Sequence, residues 1–210
     1  HESPRGRTRA RWDGPRRNGR EHWTYDARHQ DHRVSLIACI PNLSEGRRLD
    51  VVARLADVVR SAPGVHVLDV SSDADHNRSV FTLVGTSDAL LDGVLRLFAT
   101  AIQDIDLRTH HGVHPRIGAV DVVPFVPVGR TAMATCVALA RDTATQVADR
   151  FGVPVYLYEH AAEDRGRTRL DAIRRGQFEG LGAKMLAPEW APDRGPRLPH
   201  VSAGATVVGA

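Results

Sequence analysis

Residues 34–84 read VSLIACIPNLSEGRRLDVVARLADVVRSAPGVHVLDVSSDADHNRSVFTLV, and this stretch decides the fold class. The opening VSLIACI (34–40) is a short apolar run, which predicts a buried strand stopped by Pro41-Asn42. Ser44-Glu45-Gly46 leads into 47–61, where Leu49, Val52, Leu55, Ala56 and Val59 recur at three- and four-residue spacing. That period predicts an amphipathic helix, ended by Pro63-Gly64. Residues 65–70 and 79–84 then read as two strands around a polar loop, 71–78.

The alternation continues outward. Residues 88–105 carry a second helical stripe (Leu91, Val94, Leu95, Phe98, Ile102). IGAVDVVPFVPV (117–128) is extended, and Pro124 and Pro127 favour an edge or bent strand. A third helix is predicted over 131–151, a strand over 153–158, and a helical stretch over 170–185 with a break near Gly176 or Gly180. The end, 188–210, is loop-rich and closes on a strand-like ATVV. Strands alternating with helices give an α/β (α+β) class, a sheet with helices on at least one face. The expected core includes Leu36, Ile37, Val52, Leu55, Val67, Leu68, Leu95, Val122, Val123 and Tyr156.

The 210 residues are 42% hydrophobic and 25% charged, enough for one sizeable core. No apolar stretch is long enough to span a bilayer, and no secretory leader is legible, so no membrane partner is expected. Cys39 and Cys136 form neither a CxxC pair nor a disulfide framework, which fits a reducing, cytoplasmic setting. The formal charge is +3, but residues 1–33 hold nine Arg against five acids. This segment has no apolar periodicity and reads as a disordered Arg-rich tail ahead of a single domain, 34–210. Its Trp12, Trp23 and Tyr25 are possible stacking groups. The acids interrupt the basic run and the body offers no second basic patch, so no nucleic-acid partner is expected.

Neither GxGxxG, GxxxxGK[ST] nor GxSxG is present, so chemistry is sought in three polar islands. The first, PNLSEGR (41–47), joins a strand to a helix, where backbone N–H groups can hold an anion and Asn42 and Ser44 can cap or bind. The second, DADHNR (73–78), packs two carboxylates, an imidazole, an amide and a guanidinium into six residues. The third is DLRTHHGVHPR (106–116). His110 and His114 have the i, i+4 spacing of helical zinc ligands, but Gly112 and Pro115 oppose a helix there. The stronger reading is no metal, and an imidazole on a Gly/Pro-bracketed loop acting as acid–base. Arg78 and Arg116 would hold an anionic substrate, since Arg grips carboxylates bidentately.

PNLSEGRR, VLDV, DADHNRSV, DLRTHHGVHPRIGAVDVVPFVPV, PVYLYE, IRRGQFEGL and EWAPDRGP resemble, in the same order, the N-terminal subdomain of the glutamate formimidoyltransferase (formiminotransferase) family. The same subdomain opens the bifunctional formimidoyltransferase-cyclodeaminases. The resemblance covers about residues 36–210 and implies a mixed β-sheet with helices mainly on one face. It implies transfer of the formimino group from N-formimino-L-glutamate to N5 of tetrahydrofolate, in histidine degradation and one-carbon metabolism. Tetrahydrofolate is then a co-substrate, and no metal is implied. The resemblance assigns the acid–base to His114. It assigns folate contact to Gly195, Pro196, Arg197, Leu198, Pro199, His200, Val201, Ser202, Ala203 and Gly204. The proposed chemistry adds Arg78 and Arg116 for anions and Asn77 to orient a polar group.

The match departs at Val113, where relatives often carry Glu, and at Ser71, where some carry Asp. In the family a second α/β subdomain follows the point where this sequence stops, and the substrate groove lies between the two. A C-terminal partner chain or a homodimer would complete such a groove. The alternatives are a non-catalytic folate- or partner-binding subdomain, and formyl transfer between 5-formyltetrahydrofolate and glutamate.

Overall fold

The computed structural model describes residues 35–210; the expectations for the Arg-rich tail lie outside them. The described residues form β1 (Ile37–Cys39), β2 (Asn42–Leu43), α1 (Leu49–Arg60), β3 (His66–Asp73), β4 (Arg78–Gly85), α2 (Ser87–Asp104), β5 (Val120–Pro127), α3 (Met133–Phe151), β6 (Val155–Tyr158), α4 (Leu170–Arg174), α5 (Gln177–Leu186) and β7 (Thr206–Gly209). One mixed sheet holds all seven strands. β1 and β2 form a single line, broken at Ile40-Pro41, between β4 and β5. Outward from that line lie β4 and then β3 on one side, and β5, β7 and β6 on the other. β7 runs parallel to both its neighbours, and the other pairings are antiparallel. The first six major elements make a split βαβ arrangement, which α3, β6 and β7 extend.

The helices sort by face. The stripes read from periodicity bury Val52, Leu55 and Val59 of α1 and Val94, Leu95 and Phe98 of α2, with α3 beside them. Each of these side chains contributes about 1.5–3 kcal/mol by leaving water. Phe81, Leu83, Val123 and Phe125 meet them from the sheet. On the opposite face a smaller core joins Val122, Tyr156 and Val207 to Ile173, Leu181 and Met185 of α4 and α5. The short α4 and α5 thus cover only the β5–β7–β6 half of that face.

Several expectations need correction. Leu36, at 38% exposure, alternates onto the uncovered half-face, with Val126 at 44% and Val128 at 39%. Leu68 is 64% exposed because a register shift between Val67 and Asp69 leaves it outside the ladder of the outermost strand. Val67 is only half-buried on that strand, and Leu49, the first residue of α1, is exposed. β5 is interior, not an edge, despite its prolines. Ile40 N–H donates to Pro124 O at 3.1 Å, and the reciprocal bond that proline cannot make falls where the β1–β2 line breaks. The loop expected over 71–78 shrinks to a turn, since β3 runs on to Asp73 and β4 starts at Arg78.

Candidate active site

The three polar islands converge. Asn77, held at φ 50° in the left-handed region that Asn tolerates, is their brace. Its Oδ1 accepts Gly46 N–H at 2.9 Å from the first island, and its Nδ2 donates to His111 O at 3.0 Å in the third. Arg47 Nε donates to Ala74 O and Val113 N–H to Asp75 O. Two glycines permit the approach. A Cβ on Gly46 would lie 2.4 Å from Asp73 O, and one on Gly112 2.4 Å from His76 O. The hairpin turn is closed by Asp73, which accepts His76 N–H and pairs with its Nδ1; those bonds hold its carboxyl below the ordinary range.

The first island folds back on the residues that lead into its helix. Glu45, almost fully buried, accepts the N–H groups of Arg47 and Arg48 at 3.0 and 2.9 Å and pairs with the Arg48 side chain. Glu45 thus places a carboxylate immediately ahead of α1, whose N-cap residue Arg48 receives no side-chain cap. Burial opposes the Glu45 charge, but these donors together hold its pKa below the ordinary value. Ser44 does not cap; its hydroxyl donates to Gly118 O at 2.7 Å. Asn42 Nδ2 donates to Ile40 O, across the break between β1 and β2.

The histidines of the third island do different work. His110 Nδ1 accepts from Arg116 Nε at 3.1 Å, so Nε2 carries the hydrogen and donates to Asn77 O at 2.9 Å. Both ring nitrogens are engaged, and burial holds the imidazole below its ordinary pKa, with the Arg116 charge adding to this. His111 is exposed. His114 is 8% exposed, and its buried Nε2 has no hydrogen-bond partner among the described residues. Asp121 Oδ2 stands 3.7 Å from that nitrogen and is paired with Arg174. Among the described residues no three His, Cys, Asp or Glu side chains are grouped as metal ligands.

Arg116 departs from its expected role. Its guanidinium donates to His110 Nδ1 and O, to Gln177 Oε1 and to both oxygens of Glu179, so all five N–H groups are engaged within the chain. Asn77 is likewise committed at both ends of its amide. Arg78 is the opposite case. Its Nε is buried without a hydrogen-bond partner among the described residues, beside a cavity of about 270 Å³ lined by Ser71, Ser72, Asp73 and Val80. A second cavity, about 210 Å³, opens between Glu45, Arg47, Arg48, Asn77 and His110. His114 lines neither.

The segment 195–204 approaches the His loop through its second half. Gly195, Pro196, Arg197 and Leu198 are exposed, and Pro199 runs beside Gly182 of α5. His200 and Gly204 exchange backbone hydrogen bonds around exposed Val201. Ser202 O accepts Leu107 N–H at 2.8 Å, Ala203 O accepts Ala119 N–H at 3.0 Å, and Ala205 N–H donates to Ile117 O. Gly204 has φ 68°, and a Cβ there would stand 2.0 Å from Ile117 O. This tight turn flanks both ends of the loop that carries His114.

The family model "Formiminotransferase domain, N-terminal subdomain" matches residues 36–210, nearly all of the described chain. The chain belongs to this family. It is 45% identical over 177 residues to a glutamate formimidoyltransferase of Streptococcus pyogenes serotype M1, covering 84% of this chain and 59% of the relative. It is 45% identical over 179 residues to a glutamate formimidoyltransferase of Thermoplasma acidophilum, again covering 84% and 59%. A formimidoyltransferase-cyclodeaminase of Sus scrofa is 45% identical over 175 residues, covering 83% of this chain and 32% of the relative. The chain thus spans just over half of the shorter relatives and a third of the longer one. The mixed sheet, with its helices mainly on one face, is that expected of the family from sequence. Reading from sequence missed Glu45, Asp121, Arg174, Gln177 and Glu179. Asp121 alone left a signal: a carboxylate inside an otherwise apolar strand (GAVDVVPF), which needs a buried partner.

Proposed function

We propose that this domain is the N-terminal half of a folate-dependent glutamate formimidoyltransferase, with His114 as its acid–base. In this reaction N5 of tetrahydrofolate attacks the formimino carbon of N-formimino-L-glutamate, giving a tetrahedral intermediate. The N5 proton must leave, and the departing glutamate nitrogen must gain one. His114 takes the first and returns it to the second as the carbon–nitrogen bond to glutamate breaks, so no net proton is consumed. The observation that carries the reading is the contrast between the two imidazoles. His110 has both nitrogens engaged, whereas no described residue hydrogen-bonds the His114 ring, whose buried Nε2 faces the Asp121 carboxylate and leaves Nδ1 to exchange the proton.

Arg78, with its unpartnered Nε, takes a substrate carboxylate, a role for which Arg116 has no free donor. Asn42 borders the same face, and Asn77 acts by holding the loops. The turn 195–204 receives folate, with exposed Leu198 and Val201 as its apolar surface. The uncovered half-face bearing Leu36, Val126 and Val128 takes the C-terminal half found in the longer relatives, or a second copy of this chain. The setting is histidine degradation in the cytoplasm, where Cys39 and Cys136 stay free thiols.

The reading is tested by supplying tetrahydrofolate with either formiminoglutamate or formylglutamate and following product spectrophotometrically. Turnover with the formimino donor alone is expected. Turnover with the formyl donor alone favours the formyl-transfer relative. Binding of tetrahydrofolate by calorimetry without any turnover favours a non-catalytic folate-binding half.

A further inference from the structure

Asp121 stands in a strand of valines, yet it breaks the alternation of β5. Asn42 of β2 faces Val122 and Leu43 faces Val120, so Asp121 is the extra residue of a β-bulge. A bulge re-aims a side chain, and here it points a carboxylate that is 1% exposed at His114 and Arg174. Both oxygens are anchored. Oδ1 accepts Ile117 N–H at 2.7 Å and Gly118 N–H at 3.3 Å, while Oδ2 accepts from the Arg174 guanidinium and faces His114 Nε2.

Arg174 is itself held. It lies on α4, and Lys184 donates to Ala172 O at 2.6 Å, to Ile173 O at 2.7 Å and to Arg175 O at 3.3 Å. The same ammonium sits 3.7 Å from the centre of the Trp190 ring. A continuous set of contacts therefore runs from α5 through α4 to the imidazole.

We infer that Asp121, braced by Arg174, is the positioning residue that sets the tautomer and orientation of His114; the inference rests on reading His114 as the proton carrier. A ring lone pair turned toward a carboxylate oxygen is repelled, and an N–H is attracted. Nε2 therefore carries the hydrogen and Nδ1 keeps the lone pair that accepts the substrate proton. At 3.7 Å the contact is too long for a hydrogen bond. Such contacts lengthen in ligand-free sites and close when substrate seats. When the ring takes its second proton, the adjacent carboxylate stabilises the cation.

The test is ring ¹⁵N NMR of the full chain at about pH 8.5, above the ordinary imidazole range. The His114 signals are assigned by their loss in His114→Gln. The expected result is a single Nε2–H tautomer in the wild type, and a mixture of both in Asp121→Asn. Asp121 also holds two backbone N–H groups, so Asp121→Asn can fail to fold. Arg174→Met leaves those bonds intact and frees the Oδ2 charge, so it is expected to shift the His114 ring signals while the Nε2–H tautomer is kept. A wild-type Nδ1–H tautomer, or an unchanged ring in both variants, overturns the inference. In the transfer assay Asp121→Asn is expected to lower kcat by about 10²–10⁴-fold with KM for formiminoglutamate little changed. A KM effect with unchanged kcat also overturns it. If the wild type transfers nothing while Asp121 still sets the tautomer, the transfer reading fails and the positioning stands.

Discussion

Replacing Asn77 tests whether the three islands are one site. In Asn77→Ala two bonds vanish, a buried one from Gly46 N–H to Oδ1 and a part-buried one from Nδ2 to His111 O. Each group left unsatisfied costs about 1–3 kcal/mol, less where water reaches it. Alanine must also hold φ near 50°, which costs an L residue about 1–2 kcal/mol and asparagine less. Together the loss is about 3–5 kcal/mol, or a fall in Tm of roughly 6–20 °C for a domain of this size. Asn77→Gly loses the same bonds but adopts the left-handed backbone freely, so it should be about 1 kcal/mol better than alanine. Urea and thermal unfolding of the two variants give both numbers. Equal stabilities, both within about 1 kcal/mol of the wild type, would mean that Asn77 is neither a brace nor strained.

Other perturbations probe the same frame. Burial depresses the His110 pKa, so the unfolded chain binds the extra proton first. Stability is therefore full above about pH 6.5 and declines as pH falls toward the folded value, and His110→Gln should flatten that slope in denaturation series. Arg116 depresses the Glu179 pKa, so the stability from this pair is present above about pH 4.5 and lost as pH falls further. Glu179→Gln should accordingly lower Tm at neutral pH and converge on the wild type in acid. Gly112→Ala, with its Cβ against His76 O, should cost about 1–3 kcal/mol and shift the amide signals of 110–114.

The helices were legible because their core contacts are local: Val52, Leu55 and Val59 repeat within one segment and need no knowledge of partners. β2 was not, since two residues behind a proline carry no period. The interior position of β5 was hidden for a related reason. Its Pro124 looks like an edge residue until the broken β1–β2 line opposite it is known. Leu68 looked like core because a bulge on the outermost strand is invisible in an alternating run. The islands themselves stood out as dense polar runs, but their meeting depends on Asn77 adopting a left-handed turn and on two glycines allowing backbone contact. The fate of Arg116 was equally hidden, since Gln177 and Glu179 lie 61 and 63 residues along the chain. Asp121 sits within a strand motif, and only the bulge reveals where it points.

The most direct measurement is His114→Ala, assayed for transfer and, in parallel, for tetrahydrofolate binding by calorimetry. Loss of the proton carrier should lower kcat by about 10²–10⁴-fold while the Kd for tetrahydrofolate stays within about threefold. A variant that keeps its kcat, or that loses folate affinity in proportion to its rate, would contradict the assignment of His114 as the acid–base.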